Sequence, residues 1–203
     1  MPILAASPDA IARAVQVLRD GGVVAYPTDT LYGLAVDPRS GAAVRRLFEA
    51  KGRDFSLAIP LIASTLEQAR TAGEFGETHV RLAEAFWPGP LTIVVPARPA
   101  ITRDLLGGGT TIAIRVPAHQ VAVALAAELG FCITSTSANR SGQAPATTAG
   151  QVAIDLGAAI DVVIDGGPST GGLPSTIVEV TAHGPRLIRQ GAVPWDRVLE
   201  SLE

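Results

Sequence analysis

Short apolar runs recur along this chain, and between most of them lies a stretch whose apolar residues are spaced for one face of a helix. The runs "VVAY" (23–26), "AIPLIA" (58–63), "LTIVVPA" (91–97), "TTIAIRVPA" (110–118), "FCITST" (131–136), "DVVID" (161–165), "STIVEVT" (175–181) and "RLIR" (186–189) read as strands. Ser7, Pro8 and Asp9 supply an N-cap, a first helical residue and a favourable acid, Ile11, Val15 and Leu18 share a face, and Gly21-Gly22 ends the helix. A second helix is expected from about Ser40 to Ala50, with others near 65–73, 77–86, 118–129, 148–157 and 195–202. Pro27 is expected to cut the strand before it, and "PTDTLYGLAVD" to follow as a polar turn that returns to apolar residues. Strands alternating with helices predict an α/β fold. The last strands come without helices between them, so the open, twisted sheet should be mixed rather than purely parallel.

With 47% apolar residues in 203, the chain can bury a sizeable core, and one domain spanning residues 1–203 is expected. Aromatic residues are only 4%, so the core must be Ala, Val, Leu and Ile, packed closely by a chain with 21 glycines. The single Cys132 excludes an internal disulfide and reads as an inert buried thiol, which points to a reducing, cytoplasmic setting. No segment approaches the ~20 apolar residues of a membrane span, and the N-terminus lacks the pattern of an export signal. A net charge of -3 gives no global attraction to nucleic acid, which would need a local basic patch.

Common catalytic signatures are absent: no nucleophile elbow, no zinc-protease helix, no paired cysteines, no Walker loop and no dinucleotide fingerprint. His79, His119 and His183 fit no metal spacing and are assigned no role. What remains is a set of polar segments at the ends of apolar runs, where α/β proteins carry ligand sites. "PTDT" follows "VVAY", "KGR" ends a helix, "STSAN" follows "FCIT", "GGLPST" precedes "IVEV", and "RLIRQG" carries Arg189. Each has a plain structural explanation as a cap, a turn or a solvated helix end. Arg115 resists one, because a cation inside a strand needs an anion, either an Asp or Glu of the protein or a substrate. If these ends converge, Lys51, Arg53, Arg115 and Arg189 with many hydroxyls would suit a polyanion, as phosphoryl or nucleotidyl transfer requires.

The segments "YPTDTLYGLAVDP", "KGR", "AIRVP", "STSANRSGQAP", "PSTIVE" and "LIRQG", in this order over residues 26–191, closely resemble the YrdC/TsaC family of L-threonylcarbamoyladenylate synthases. The pairs Lys51/Arg53 and Ser137/Asn139 match the family's marker. The resemblance implies a YrdC-like fold with a positively charged concave cavity. It also implies that L-threonine, bicarbonate or CO2, and ATP with Mg2+ give threonylcarbamoyladenylate and pyrophosphate. A separate transferase complex would then modify an adenosine next to the tRNA anticodon. Carried over by position, Thr30, Arg115, Ser135 and Ser175 would bind threonine. Lys51, Arg53, Thr111, Ser137, Asn139 and Arg189 would serve ATP, with Lys51 and Arg53 as the catalytic cations and no metal held by the protein itself.

Three departures qualify the resemblance. The family's Pro and Asn-Pro-Leu after Lys-x-Arg, and a His beyond, are replaced here by "DFSLAIPLIAS", with Ser56 and Ser64 as conceivable substitutes. "APAT" stands where a small hydroxyl residue usually follows "SGQ", and the chain ends at Glu203, as in single-domain relatives. Two other functions share the sequence features. One is a carbamoyl-adenylate-forming module of the hydrogenase-maturation type. The other is a non-enzymatic binder of double-stranded RNA, whose affinity would fall steeply with salt.

Overall fold

The computed structural model describes residues 1–169 and 171–203. One sheet has the order β1 (Ile3–Ala5), β9 (Val162–Asp165), β2 (Val24–Pro27), β3 (Tyr32–Ala35) and β8 (Thr136–Ser137). The other runs β11 (Gly184–Arg189), β10 (Thr176–Thr181), β5 (Leu91–Pro96), β6 (Thr111–Arg115), β4 (Leu61–Ile62) and β7 (Ile133–Thr134). Both are mixed: β9 is parallel to β1 and β2, whereas β3 is antiparallel to its neighbours. In the second sheet β5 runs parallel to β10 and antiparallel to β6.

Among the described residues, seven helices surround the sheets: α1 (Pro8–Arg19), α2 (Gly41–Lys51), α3 (Leu66–Ala72), α4 (Glu77–Phe86), α5 (Gln120–Leu129), α6 (Ala149–Leu156) and α7 (Trp195–Glu200). Ser7 caps α1 by accepting from the Ala10 N–H at 3.2 Å, and Ser40 caps α2 through Ala43 in the same way. Among the described residues no helix is long and apolar enough to cross a membrane.

Strand alternation sets the layers. Val23, just before β2, and Ala25 on it face the main core, which also takes Leu34, Leu91, Ile93, Val95, Ile112 and Ile114, while Val24 and Tyr26 face a second cluster with α1 and α5. The main core therefore joins both sheets.

Several sequence expectations need correction. β1 and β3 were not anticipated: β1 is three residues long, and β3 contains Gly33, whose absent side chain leaves room for the Tyr26 ring at 3.2 Å from a would-be Cβ. β2 stops at Pro27 as expected, but includes it as its last residue, because at that position only β3 pairs with the strand. The run 131–136 is two strands, since the chain leaves one sheet at Thr134 and enters the other at Thr136. The intervening Ser135 N–H donates to the Pro60 carbonyl at 2.8 Å. The strand expected at 58–63 shortens to Leu61–Ile62 behind Pro60, and the helix expected from 118 starts at Gln120, beyond Pro117.

Candidate active site

β6 alternates Ile112 and Ile114, buried, with Thr111, Ala113 and Arg115 on the opposite face. Ile114 pairs with Ile93, so Arg115 stands one step on, opposite Thr92; Thr92 pairs with Ile177, and Ile177 with Arg189. Arg115, Thr92, Ile177 and Arg189 therefore form one row across four adjacent strands. The β4 end of this face is covered, because Ile62 packs in the cluster with α5 and Tyr26.

Arg115 finds the anion its position demands. Its Nε donates to the Gly89 carbonyl at 2.9 Å, and its Nη2 pairs with the Asp29 carboxylate. The Arg115 side chain is 12% exposed and that of Asp29 31%, so the pair is half-buried at the edge of the site. Burial pulls the Arg115 pKa down, and the Asp29 charge opposes this. Tyr26 is fully buried, which pushes its pKa up, against a hydrogen bond from Ser135 and the nearby Arg115 charge. Ser135, Tyr26, Arg115 and Asp29 thus form one connected group. Thr30 belongs to the same turn as Asp29, which Thr28 Oγ1 closes by donating to the Leu31 carbonyl at 2.6 Å and accepting from the Thr30 N–H at 3.3 Å. Beside Asp29 opens a hollow of about 290 Å³ between Pro27–Asp29, His119 and Gly166–Ser169. Burial lowers the His119 pKa, which keeps that imidazole neutral near pH 7.

At the other end of the row, Thr92 Oγ1 donates to Ser175 Oγ at 2.8 Å, and Arg189 Nη2 donates to the Ser175 carbonyl at 2.9 Å. Ser175 is held in place through its neighbour Thr176. The buried Thr176 hydroxyl donates to the Val193 carbonyl at 2.7 Å and accepts from the Gly191 and Val193 N–H groups at 3.0 Å. Gly191 lies so close that a Cβ there would meet the Pro174 carbonyl at 2.2 Å.

The Lys-x-Arg and Ser-x-Asn pairs meet physically. Gly52, left-handed at φ 57°, ends α2 directly after Lys51. Lys51 is only 3% exposed, and its Nζ donates to the Ser137 carbonyl at 2.5 Å and the Asn139 carbonyl at 2.9 Å. The Ser141 N–H donates back to the Lys51 carbonyl at 2.8 Å. Burial and the neighbouring Arg53 charge pull the Lys51 ammonium down to about 8. Asn139 Nδ2 closes the turn onto the Arg140 and Gln143 carbonyls at 2.9 and 2.7 Å. Arg53 reaches Thr136 Oγ1 at 3.4 Å and the Ala58 carbonyl at 3.1 Å. Its Nε and Asn139 Oδ1 are buried without a partner among the described residues.

Nine of the ten expected site residues therefore cluster at one end of the two sheets, through Ser135–Ser137 on one side and the four-strand row on the other. Thr111 shares the face of Arg115 but opens the strand that Arg115 closes, about 13 Å away along it. That distance separates it from the rest. Asp29, Tyr26, Thr92 and Thr176 were not singled out as site residues in the sequence; a Thr in the apolar run "LTIVV" was the one available signal for Thr92. Cys132 is buried and its thiol is pushed up to about 12, as an inert core residue should be.

The family model Sua5/YciO/YrdC, described as telomere recombination, matches residues 16–191. The chain belongs to this family. A threonylcarbamoyl-AMP synthase of Pyrococcus abyssi is 39% identical over 186 residues, covering 91% of this chain and 55% of that protein. One from Thiobacillus denitrificans is 46% identical over 164 residues, covering 80% of this chain and 87% of that protein. The crystal structure of P. abyssi Sua5 complexed with L-threonine superposes with a TM-score of 0.94 at 35% identity, over 100% of this chain and 61% of that one. This member of the family thus spans little more than half the length of the Pyrococcus protein.

Proposed function

We propose that this chain, as one YrdC-like domain of residues 1–203, is an L-threonylcarbamoyladenylate synthase. One observation carries the reading: Arg115 lies amid hydroxyl groups, between Arg189 on the β11 side and Arg53 on the β8 side. Such a site suits a small carboxylate next to a polyphosphate. The L-threonine bound by P. abyssi Sua5, which shares the fold, supports the same ligand here.

In this reading Arg115 grips the threonine carboxylate, and Thr30, Ser135 and Ser175 surround the rest of the amino acid. The deprotonated amine bonds to the carbon of bicarbonate, whose hydroxyl leaves as water, to give a carbamate. A carbamate oxygen then attacks the α-phosphorus of ATP, and pyrophosphate leaves. Arg53 and Arg189 neutralise phosphate charge, with Ser137 and Asn139 on the nucleotide side. Lys51 fixes the backbone that carries Ser137 and Asn139. No step needs a protein nucleophile. Among the described residues no cluster of three or more His, Cys, Asp and Glu side chains is placed to hold a metal ion; in this reading Mg2+ arrives with the phosphates of the nucleotide. The product would pass to a transferase complex that modifies tRNA in the cytoplasm.

The test is to incubate the purified protein with labelled threonine, bicarbonate and ATP. Threonylcarbamoyl-AMP and pyrophosphate should form together, and less in Arg115→Ala. Absence of an acyl-adenylate would end the reading.

A further inference from the structure

We propose that Asp29 is a specificity-determining residue of this site: fixed on the Arg115 guanidinium, its carboxylate restricts the seat to ligands that bring a cationic α-amine together with their carboxylate. The inference rests on the synthase reading above and adds to it a rule for which carboxylates Arg115 accepts.

The edges of the guanidinium set the approach. Nε is taken by the Gly89 carbonyl at 2.9 Å and Nη2 by Asp29, while Nη1 makes no hydrogen bond among the described residues. A guanidinium offers its donors in a fixed fork, so with Nε committed, an incoming carboxylate must approach from the Nη1 side. There it arrives next to Asp29, because both bind the same planar group.

Charge counting then decides what can stay. Arg115 and Asp29 already cancel, the buried Tyr26 keeps its proton, and His119 is neutral near pH 7. A simple carboxylic acid would bring a second negative charge to a half-buried spot that has no spare positive one among the described residues. An α-amino acid brings its own cation two bonds from the carboxylate carbon, and Asp29 is the nearest negative partner for it. Asp29 also restrains the Arg115 rotamer, but restraint alone would treat both kinds of ligand alike.

Calorimetry without ATP separates these roles. Threonine and 3-hydroxybutanoate, which is threonine without its amine, are titrated into the wild type, Asp29→Asn and Asp29→Glu. Asn keeps the size of a side chain that is 31% exposed, and thermal melts check that each variant folds. In Asp29→Asn threonine should weaken and 3-hydroxybutanoate should tighten, so that the ratio of their dissociation constants changes at least tenfold, with Glu restoring part of it. A ratio unmoved by either variant overturns the inference, and so does equal tightening of both ligands, which would make Asp29 a mere competitor for Arg115. A wild type that binds neither ligand overturns the amino-acid reading of the site and this inference with it.

Discussion

Lys51 Nζ donates to the Ser137 carbonyl at 2.5 Å, so the cation of one motif is spent on holding the backbone of the other. Its second bond, to the Asn139 carbonyl, spans the rest of the Ser-x-Asn pair. Lys51→Met should therefore lower adenylate formation by about 100-fold or more, the scale for loss of a well-placed polar group, and raise KM for ATP as the loop loosens. Steady-state kinetics at saturating threonine check this.

The same lysine should leave a mark on stability. Its folded pKa, about 8, lies below the 10.5 of a free lysine. The unfolded chain therefore binds more protons between these values, and the cost of burying the charge, full below pH 8, is relieved as pH rises to about 10.5. Cys132 and Tyr26, both raised by burial, act in the opposite direction at high pH. The measure is the difference in Tm between wild type and Lys51→Met across pH 7 to 10.5, which should shift in favour of the wild type as pH increases.

Arg53 makes one long bond to Thr136 and one to Ala58, and its Nε is buried without a partner among the described residues. A phosphate would supply the missing acceptor. Arg53→Ala should therefore raise KM for ATP at least tenfold and leave the threonine dissociation constant within twofold, as read by kinetics and by calorimetry.

Thr176→Val keeps the shape of a fully buried side chain but strips the hydroxyl that serves Gly191, Val193 N–H and the Val193 carbonyl. At about 1–3 kcal/mol for each buried group left unpaired, the loss should reach roughly 3 kcal/mol or more. That corresponds to a fall in Tm of about 6–12 °C. Gly191→Ala, with its 2.2 Å approach to the Pro174 carbonyl, should displace Ser175 and raise KM for threonine. Thermal melts and kinetics on the two variants check both effects.

Hydroxyl partners around the amino acid also set substrate preference. Valine, which cannot pair with them, should be discriminated against more strongly than serine, which lacks only a methyl. Competition assays with each in place of threonine would show the order.

The α/β architecture was legible because β5, β6, β9 and β10 are β-branched runs bounded by turns, and α1 and α4 carry clear helical periods. What escaped were short pairings decided by neighbours. β3 depends on Gly33 lying against Tyr26, and the split at Ser135 depends on which sheet each half meets. The cations and hydroxyls of the site were visible as polar residues at strand ends. Asp29 as the partner of Arg115 was not, since 86 residues separate them and a capping turn explained the aspartate equally well. Lys51 was expected at phosphate; that two of its three donors serve the Ser137 and Asn139 carbonyls was not legible, because no residue pattern reports where a long side chain will bend.

The row from β6 to β11 acts as a ruler. Three strand spacings put the Cα atoms of Arg115 and Arg189 about 14 Å apart, and the guanidinium groups are moored to Gly89 and Asp29 at one end and to Ser175 at the other. A ligand that meets both arginines must therefore lie along the sheet, over Thr92 and Ser175, rather than stand upright on it.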